Sequence, residues 1–209
     1  MLAEKDIDLS ILVDSKICHY GSLSFTNEPS RTAVKNAIQI AEENGCILSY
    51  DPNLREILWE SQEQAKKEIA WGMQYADVLK IADNEIRWFT GIKSYDEAIE
   101  ALQQQYTNLK LICLSLGKDG SMAYYNGFKA FAPAYAQKNC IDTTGAGDTF
   151  CACILNFILE HGLDDLTETD LLQMLSFANA AGSIVTTRTG ALSSMPSYEK
   201  IKYLMNKNN

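Results

Sequence analysis

Two histidines in 209 residues, His19 and His161, stand far apart in the chain. A zinc site wants paired Cys and His at short spacing, so this scarcity argues against one. The cysteines are Cys18, Cys46, Cys113, Cys140, Cys151 and Cys153; none forms a CxxC pair, and most lie in apolar segments. They read as buried free thiols in a reducing cytoplasm. Basic charge is also short: 18 Lys and Arg against 27 Asp and Glu give a net charge of -9, with no basic cluster. That argues against nucleic acid or an anionic membrane as the main partner. No apolar run reaches the ~20 residues that span a bilayer. The acidic start, Met1 to Asp8, lacks the apolar core of a secretory signal. A cytoplasmic protein is the expectation. Linkers, repeats and low-complexity segments are missing too, so residues 1–209 are expected to form a single domain.

What is present fits a globular protein, with 46% hydrophobic and 22% charged residues. A chain of this length can bury roughly 70% of its unfolded surface. Short apolar runs at Lys16–Gly21, Cys46–Tyr50, Asp77–Ile81 and Leu111–Leu116 read as strands. Continuous apolar character is the pattern of a parallel sheet covered on both faces. Between them, Pro29–Gly45, Gln62–Tyr75, the segment from Asp83 to Gly91 and Tyr95–Gln105 read as helices. Strand–helix alternation predicts βαβ units. Ser121–Tyr125 and Phe128–Ala132 flank Asn126-Gly127, a strong hairpin signal. Phe150–Leu159, Leu171–Thr187 and Tyr198–Asn206 are predicted helices, and Met1–Leu12 reads as a mildly amphipathic helical fragment. His19, in the first strand, is expected to be a satisfied core residue.

The stretch that organises the chain is Asp142-Thr143-Thr144-Gly145-Ala146-Gly147-Asp148-Thr149-Phe150. It reads as a tight turn feeding a helix N-terminus. There the backbone N–H groups are unpaired and the helix dipole adds partial positive charge, which makes an anion cradle. Asp148 places a carboxylate at the mouth of that cradle. It is either a dipole-compensating first-turn acid or a general base beside a phosphate.

Several stretches resemble the ribokinase-like carbohydrate kinases of the phosphofructokinase-B family. They are Asp142–Phe150, Asp51-Pro52-Asn53-Leu54-Arg55 with Leu58-Trp59, Lys80-Ile81-Ala82-Asp83-Asn84-Glu85, Ser115-Leu116-Gly117-Lys118-Asp119-Gly120, and Asn179-Ala180-Ala181-Gly182. The wording of Ser49–Arg55 and Lys80–Asp83 is most similar to the fructokinase branch. The resemblance implies a three-layer α/β/α sandwich around a mostly parallel sheet. It implies transfer of the γ-phosphoryl of ATP to a sugar hydroxyl, with fructose favoured over ribose, 2-keto-3-deoxygluconate or a nucleoside.

By that resemblance Asp148 takes the hydroxyl proton. The N–H groups of Gly145, Ala146 and Gly147 hold the charge on the phosphoryl group. Ser115, Gly117 and Gly120 line the ATP groove, with Asn179 and Gly182 near the adenine. Asn53 and Arg55 face the substrate, Glu85 helps place Mg²⁺ through water, and Asp142 and Thr144 lie near a monovalent cation, usually K⁺. Each role has a plainer alternative: a turn cap for Asp142, a solvated acid for Glu85, an interior helix residue for Asn179, a surface pair for Arg55. Ala82 also stands where the ribokinase branch carries asparagine, so only the Glu85 end of that metal stretch carries over. The match covers roughly the last two-thirds of the family's length. The family's leading strands, most sugar contacts and the lid that commonly builds the dimer are missing. The resemblance therefore also implies an N-terminally truncated kinase, or an impaired nucleotide-binding module. It implies a strand at Lys16–Tyr20 that is exposed or paired with another subunit, as in a homodimer, or covered by a missing N-terminal segment.

Overall fold

A computed structural model describes residues 2–137 and 139–208. Six strands, β1 (Ile17–Gly21), β2 (Ile47–Asp51), β3 (Val78–Ala82), β4 (Leu111–Ser115), β5 (Ser121–Tyr125) and β6 (Phe128–Ala132), follow one another across the sheet in chain order. The helices are α1 (Ser10–Val13), α2 (Ser30–Glu43), α3 (Gln62–Met73), α4 (Asp83–Thr90), α5 (Tyr95–Gln105), α6 (Ala146–His161), α7 (Glu168–Val185) and α8 (Tyr198–Asn208). The result is the expected ribokinase-like α/β architecture. The chain divides into two compact units after Ile112.

In the first unit β1, β2 and β3 run parallel, with Cys18 opposite Leu48 and Tyr50 opposite both Tyr20 and Leu79. Helices between them supply the crossovers that parallel pairing requires. α2 buries Ala33, Ala37, Ile38 and Ala41 at helical spacing and stops at Asn44-Gly45, where Gly45 has φ 75°. α3 is started by Ser61, whose Oγ accepts the Gln64 N–H at 3.1 Å. Gly72 in that helix leaves its bare face to Tyr50, since a Cβ there would lie 2.7 Å from Tyr50 Cζ. Tyr20 stacks on Tyr50 at 4.9 Å and donates its hydroxyl to the Gly72 carbonyl at 2.8 Å. This aromatic wedge fixes the carboxyl end of β2, where Asp51 stands.

The N-terminal segment departs from the expected amphipathic fragment. It forms a single 3₁₀ turn at Glu4–Asp6 and the one-turn α1, with Ile11 and Val13 exposed. Four residues bury too little apolar surface to extend a helix against the cost of nucleation. β1 is the terminal strand of the sheet. Tyr20 is its buried residue, Ile17 and Cys18 are half-buried, and His19 is exposed. His19 is therefore no core residue; its Nδ1 lies 3.1 Å from Ser49 Oγ on β2.

The second unit contains the antiparallel hairpin β5–β6, turned by Asn126 and Gly127 with φ 46° and 81°. α7 packs on both hairpin strands and on α6 and α8. A capping box starts it: Thr167 Oγ1 accepts the Asp170 N–H at 3.3 Å, and Asp170 Oδ2 accepts the Thr167 N–H at 2.9 Å. α6 begins at Ala146, four residues ahead of the apolar run, so Asp148 sits inside its first turn. None of the six cysteines is in a disulfide; Cys46, Cys113 and Cys151 are buried, Cys18 and Cys153 half-buried, and Cys140 is exposed, against the reading of buried thiols. Burial pushes the Cys153 thiol up to about 11.

Candidate active site

The sequence-predicted residues fall into two groups, one on each unit. On the second unit, the chain approaches α6 through an Asx turn. Asp142 Oδ1 accepts the Thr144 N–H at 2.9 Å and Oδ2 accepts the Gly190 N–H at 3.4 Å. The Ile141 and Asp142 N–H groups both reach the Thr186 carbonyl, at 2.8 and 3.3 Å. Hydrogen bonds from Thr144, then from the Gly190 amide, hold the Asp142 carboxyl below the usual carboxylate range. Gly145 is the N-cap of α6 with φ 81°, a left-handed conformation that costs a residue with a Cβ about 1–2 kcal/mol. A Cβ there would also lie 3.1 Å from the Ala191 Cα.

The N–H of Ala146 turns to the Thr143 carbonyl at 3.2 Å, and that of Thr149 closes the first helical bond to Gly145 at 2.9 Å. Among the described residues, the N–H groups of Gly145, Gly147 and Asp148 have no such partner. These orphan donors sit at the positive end of a 16-residue helix, which is the physical basis of an anion site. The Asp148 side chain beside them is exposed, as is Thr144. Gly182 on α7 backs this turn; a Cβ there would come within 3.3 Å of the Ala146 carbonyl oxygen.

The other nucleotide-groove candidates cluster around the hairpin. Ser115 ends β4 half-buried, and a 3₁₀ turn at Gly117–Asp119 follows, closed by the Leu116 N–H on the Gly120 carbonyl at 2.8 Å. Gly120 lies against the backbone of Ala132 and Pro133. Asn179 meets the same two residues: its Nδ2 donates to the Ala132 and Pro133 carbonyls at 2.9 and 3.2 Å. Its Oδ1 accepts the Ser121 hydroxyl at 2.9 Å, and the residue is 8% exposed. Asn179 thus holds the hairpin exit to α7 with both ends of its amide.

On the first unit, Asn53 and Arg55 follow β2 in a tightly held turn. Asp51 Oδ1 accepts the Asn53 N–H at 3.1 Å, and Asn53 has φ 45°. Asp51 Oδ2 pairs with Lys80 Nζ at 2.8 Å, with both side chains under one-tenth exposed. The Ser22 hydroxyl donates to the Pro52 carbonyl. Glu85, 6% exposed, accepts the Leu54 N–H at 2.7 Å and the Ala82 N–H at 2.8 Å, one on each oxygen. Arg55 is exposed and donates from Nη1 to the Leu54 carbonyl at 2.9 Å.

No role for Lys80 or the pairing function of Asp51 came from sequence reasoning. The signal was available: a lysine inside the apolar run Val78-Leu79-Lys80-Ile81 needs a buried partner, and an acid closes the neighbouring strand. Thr149 was missed as well. It is buried, and its Oγ1 has no hydrogen-bond partner among the described residues.

Residues 2–198 match the family model described as pfkB family carbohydrate kinase. The chain belongs to the pfkB carbohydrate kinases. It is 39% identical over 196 residues to probable fructokinase-2 of Arabidopsis thaliana, covering 94% of this chain and 59% of that protein. It is 35% identical over 207 residues to fructokinase-1 of Zea mays, covering 99% of this chain and 64% of that one. The chain thus spans less than two-thirds of the length of these curated relatives. A crystal structure of fructokinase from Vibrio cholerae O395, bound to fructose, ADP and calcium ion, superposes with a TM-score of 0.85. Identity is 27%, covering 98% of this chain and 65% of that one. Fructokinase from Xylella fastidiosa with bound ATP gives a TM-score of 0.89 at 23% identity, covering 100% of this chain and 66% of that one. At that identity the likeness shows the fold alone.

The metal ions implied by the family can be tested against these residues. Among the described residues no group of three or more His, Cys, Asp or Glu gathers. Both Glu85 oxygens already accept an N–H, which leaves lone pairs for a metal-bound water rather than for the metal itself. Asp142 offers oxygen donors and a single charge, the chemistry that suits a monovalent cation.

Proposed function

We propose that this protein transfers the γ-phosphoryl group of ATP to a hydroxyl of a sugar, with fructose as the acceptor and fructose 6-phosphate as the product. The observation that carries the reading is the α6 N-terminus, where the N–H groups of Gly145, Gly147 and Asp148 have no backbone partner among the described residues and the Asp148 carboxylate is exposed. Such donors stabilise charge that develops on a transferred phosphoryl group, at no cost of reorganisation. Asp148 Oδ takes the proton from the attacking hydroxyl. Fructose is favoured because the curated relatives named above are fructokinases and the Vibrio cholerae enzyme was crystallised with fructose and ADP.

Gly117, Gly120 and the residues around Ala132–Pro133 form the nucleotide groove in this proposal, with Ser115 and Gly182 lining it. Asn53 and Arg55 serve the substrate. Glu85 orients a water of a Mg²⁺ ion, and the Asp142–Thr144 turn takes K⁺. When bound, Mg²⁺ supplies charge neutralisation on the phosphates.

The test is ADP release with and without fructose, compared with ribose and 2-keto-3-deoxygluconate. Asp148→Asn should lower fructose-dependent release by about 10²–10⁴-fold, the usual contribution of a general base. Because Asp148 is exposed, its thermal stability should stay near that of the unsubstituted chain. Nucleotide binding without sugar-dependent turnover would overturn the kinase reading and leave a nucleotide-binding module.

A further inference from the structure

We infer that Glu85 is a positioning residue for the turn that presents Asn53 and Arg55, and acts on it through the Leu54 amide, in addition to the Mg²⁺-bound water proposed for it above. The inference rests on the proposed kinase reading for its catalytic consequence, and on geometry alone for the clip itself. Glu85 stands in the first turn of α4, and its Oε2 accepts the Ala82 N–H at 2.8 Å. A capping acid ordinarily leaves its other oxygen to solvent. Here that oxygen points inward instead and accepts the Leu54 N–H at 2.7 Å, 31 residues away in the chain. One buried carboxylate thus ties the end of β3 to the turn after β2.

The turn needs such a tie. Asn53 holds φ 45°, a left-handed conformation that asparagine tolerates but does not favour strongly enough to fix by itself. Asp51 restrains the Asn53 N–H, and Glu85 restrains the next amide along. Arg55 then bonds back to the Leu54 carbonyl, so its guanidinium is tied to the residue whose N–H Glu85 holds. Beneath the turn lies a cavity of about 10 Å³, lined by Pro52, Leu54, Ile81, Glu85 and Trp88 among others. A void of that size sits at the threshold for one water, and its walls are mostly apolar. Without the carboxylate, the Leu54 N–H loses its acceptor in surroundings that offer poor replacements.

Glu85→Ala and Glu85→Gln in the full chain test this through amide hydrogen exchange without ligands and through kinetics. In Glu85→Ala, exchange at Leu54 should speed up by about tenfold or more, the factor for a hydrogen bond worth about 1.4 kcal/mol, with Ile81 unchanged. Glu85→Gln keeps one acceptor for two N–H groups and should fall between. In turnover, KM for the sugar should rise by about tenfold in Glu85→Ala, apart from any change in Mg²⁺ dependence. Unchanged exchange at Leu54 in both variants overturns the inference. So does a sugar KM that stays unchanged in both. If the unsubstituted chain shows no sugar-dependent ADP release, the kinase reading fails. The exchange result then still decides whether Glu85 fixes the turn.

Discussion

Replacing Lys80 by methionine perturbs the first unit at a point where the cost can be worked out. Lys80 Nζ lies 2.8 Å from Asp51 Oδ2, and the two side chains are 8% and 7% exposed. Water screens such a pair little, so the penalty is set by what is left behind. Methionine matches the length of the lysine stem and fills its volume, which leaves cavity terms small. The Asp51 carboxylate then keeps the Asn53 N–H on Oδ1 but has lost its counter-charge on Oδ2. Removing one partner of a buried pair typically costs about 3–5 kcal/mol, because an uncompensated charge remains. For a chain of this size each kcal/mol shifts the melting temperature by about 2–4 °C, so Lys80→Met should melt about 6–20 °C lower. Asp51→Asn keeps an acceptor for Asn53 and removes the charge. Combined with Lys80→Met it should recover a large part of the loss, giving a coupling of about 1–3 kcal/mol in the double-mutant cycle. The assay is thermal or urea unfolding of the four proteins. A drop of less than about 2 °C for Lys80→Met, or strict additivity of the two changes, would refute the reasoning.

Two further outcomes can be measured on the second unit. Gly145→Ala should destabilise by about 1–3 kcal/mol in urea unfolding, because φ 81° is unfavourable for alanine and its Cβ would press on Ala191; an unchanged midpoint would show that the 190–191 loop yields freely. Asp170 has its carboxyl held below the ordinary range by the Thr167 hydroxyl, then the Thr167 amide. A lowered value in the fold means that this contribution is present above the ordinary aspartate value of about 3.9 and is lost as the pH falls through the lower folded value. The melting difference between wild type and Asp170→Asn should accordingly be clear at pH 7 and close up in acid, and a difference that grows on acidification would contradict the sign.

Much of the fold was legible because its local signals agree with its burial. α5 occupies Tyr95–Gln105 and the hairpin turns at Asn126-Gly127, as periodicity and turn chemistry predict. The run Cys46–Tyr50 was readable as a strand because it is apolar on both faces; the strand itself is Ile47–Asp51. Boundaries shifted where a cap rather than an apolar residue starts the element. α6 opens on Ala146-Gly147-Asp148, residues that carry no helical apolar signal but gain the turn from Gly145. The expected helix at the N-terminus failed for the opposite reason: its short turns pack on α2 and leave Ile7, Leu9 and Leu12 only half-buried and Ile11 exposed. At the site, the glycine turn was legible because positive φ and orphan donors follow from residue type. The direction of a carboxylate does not. Nothing in Asp83-Asn84-Glu85 tells that one oxygen of Glu85 caps its own helix while the other reaches back to Leu54.

Asn179 shows how far that limit reaches. A polar residue in a motif-like stretch of a helix invites a direct contact with ligand, and the resemblance places it near the adenine. In the structure its two amide hydrogens go to two carbonyls and its oxygen accepts one hydroxyl, which leaves the second lone pair of Oδ1 as the remaining capacity of the amide. Losing any of these buried bonds would cost about 1–3 kcal/mol. The side chain fixes Ala132 and Pro133, which also lie against Gly120, so the hairpin exit and the Gly117–Gly120 turn keep one shape. That hold on the backbone around the hairpin exit is a role that residue identity alone does not reveal.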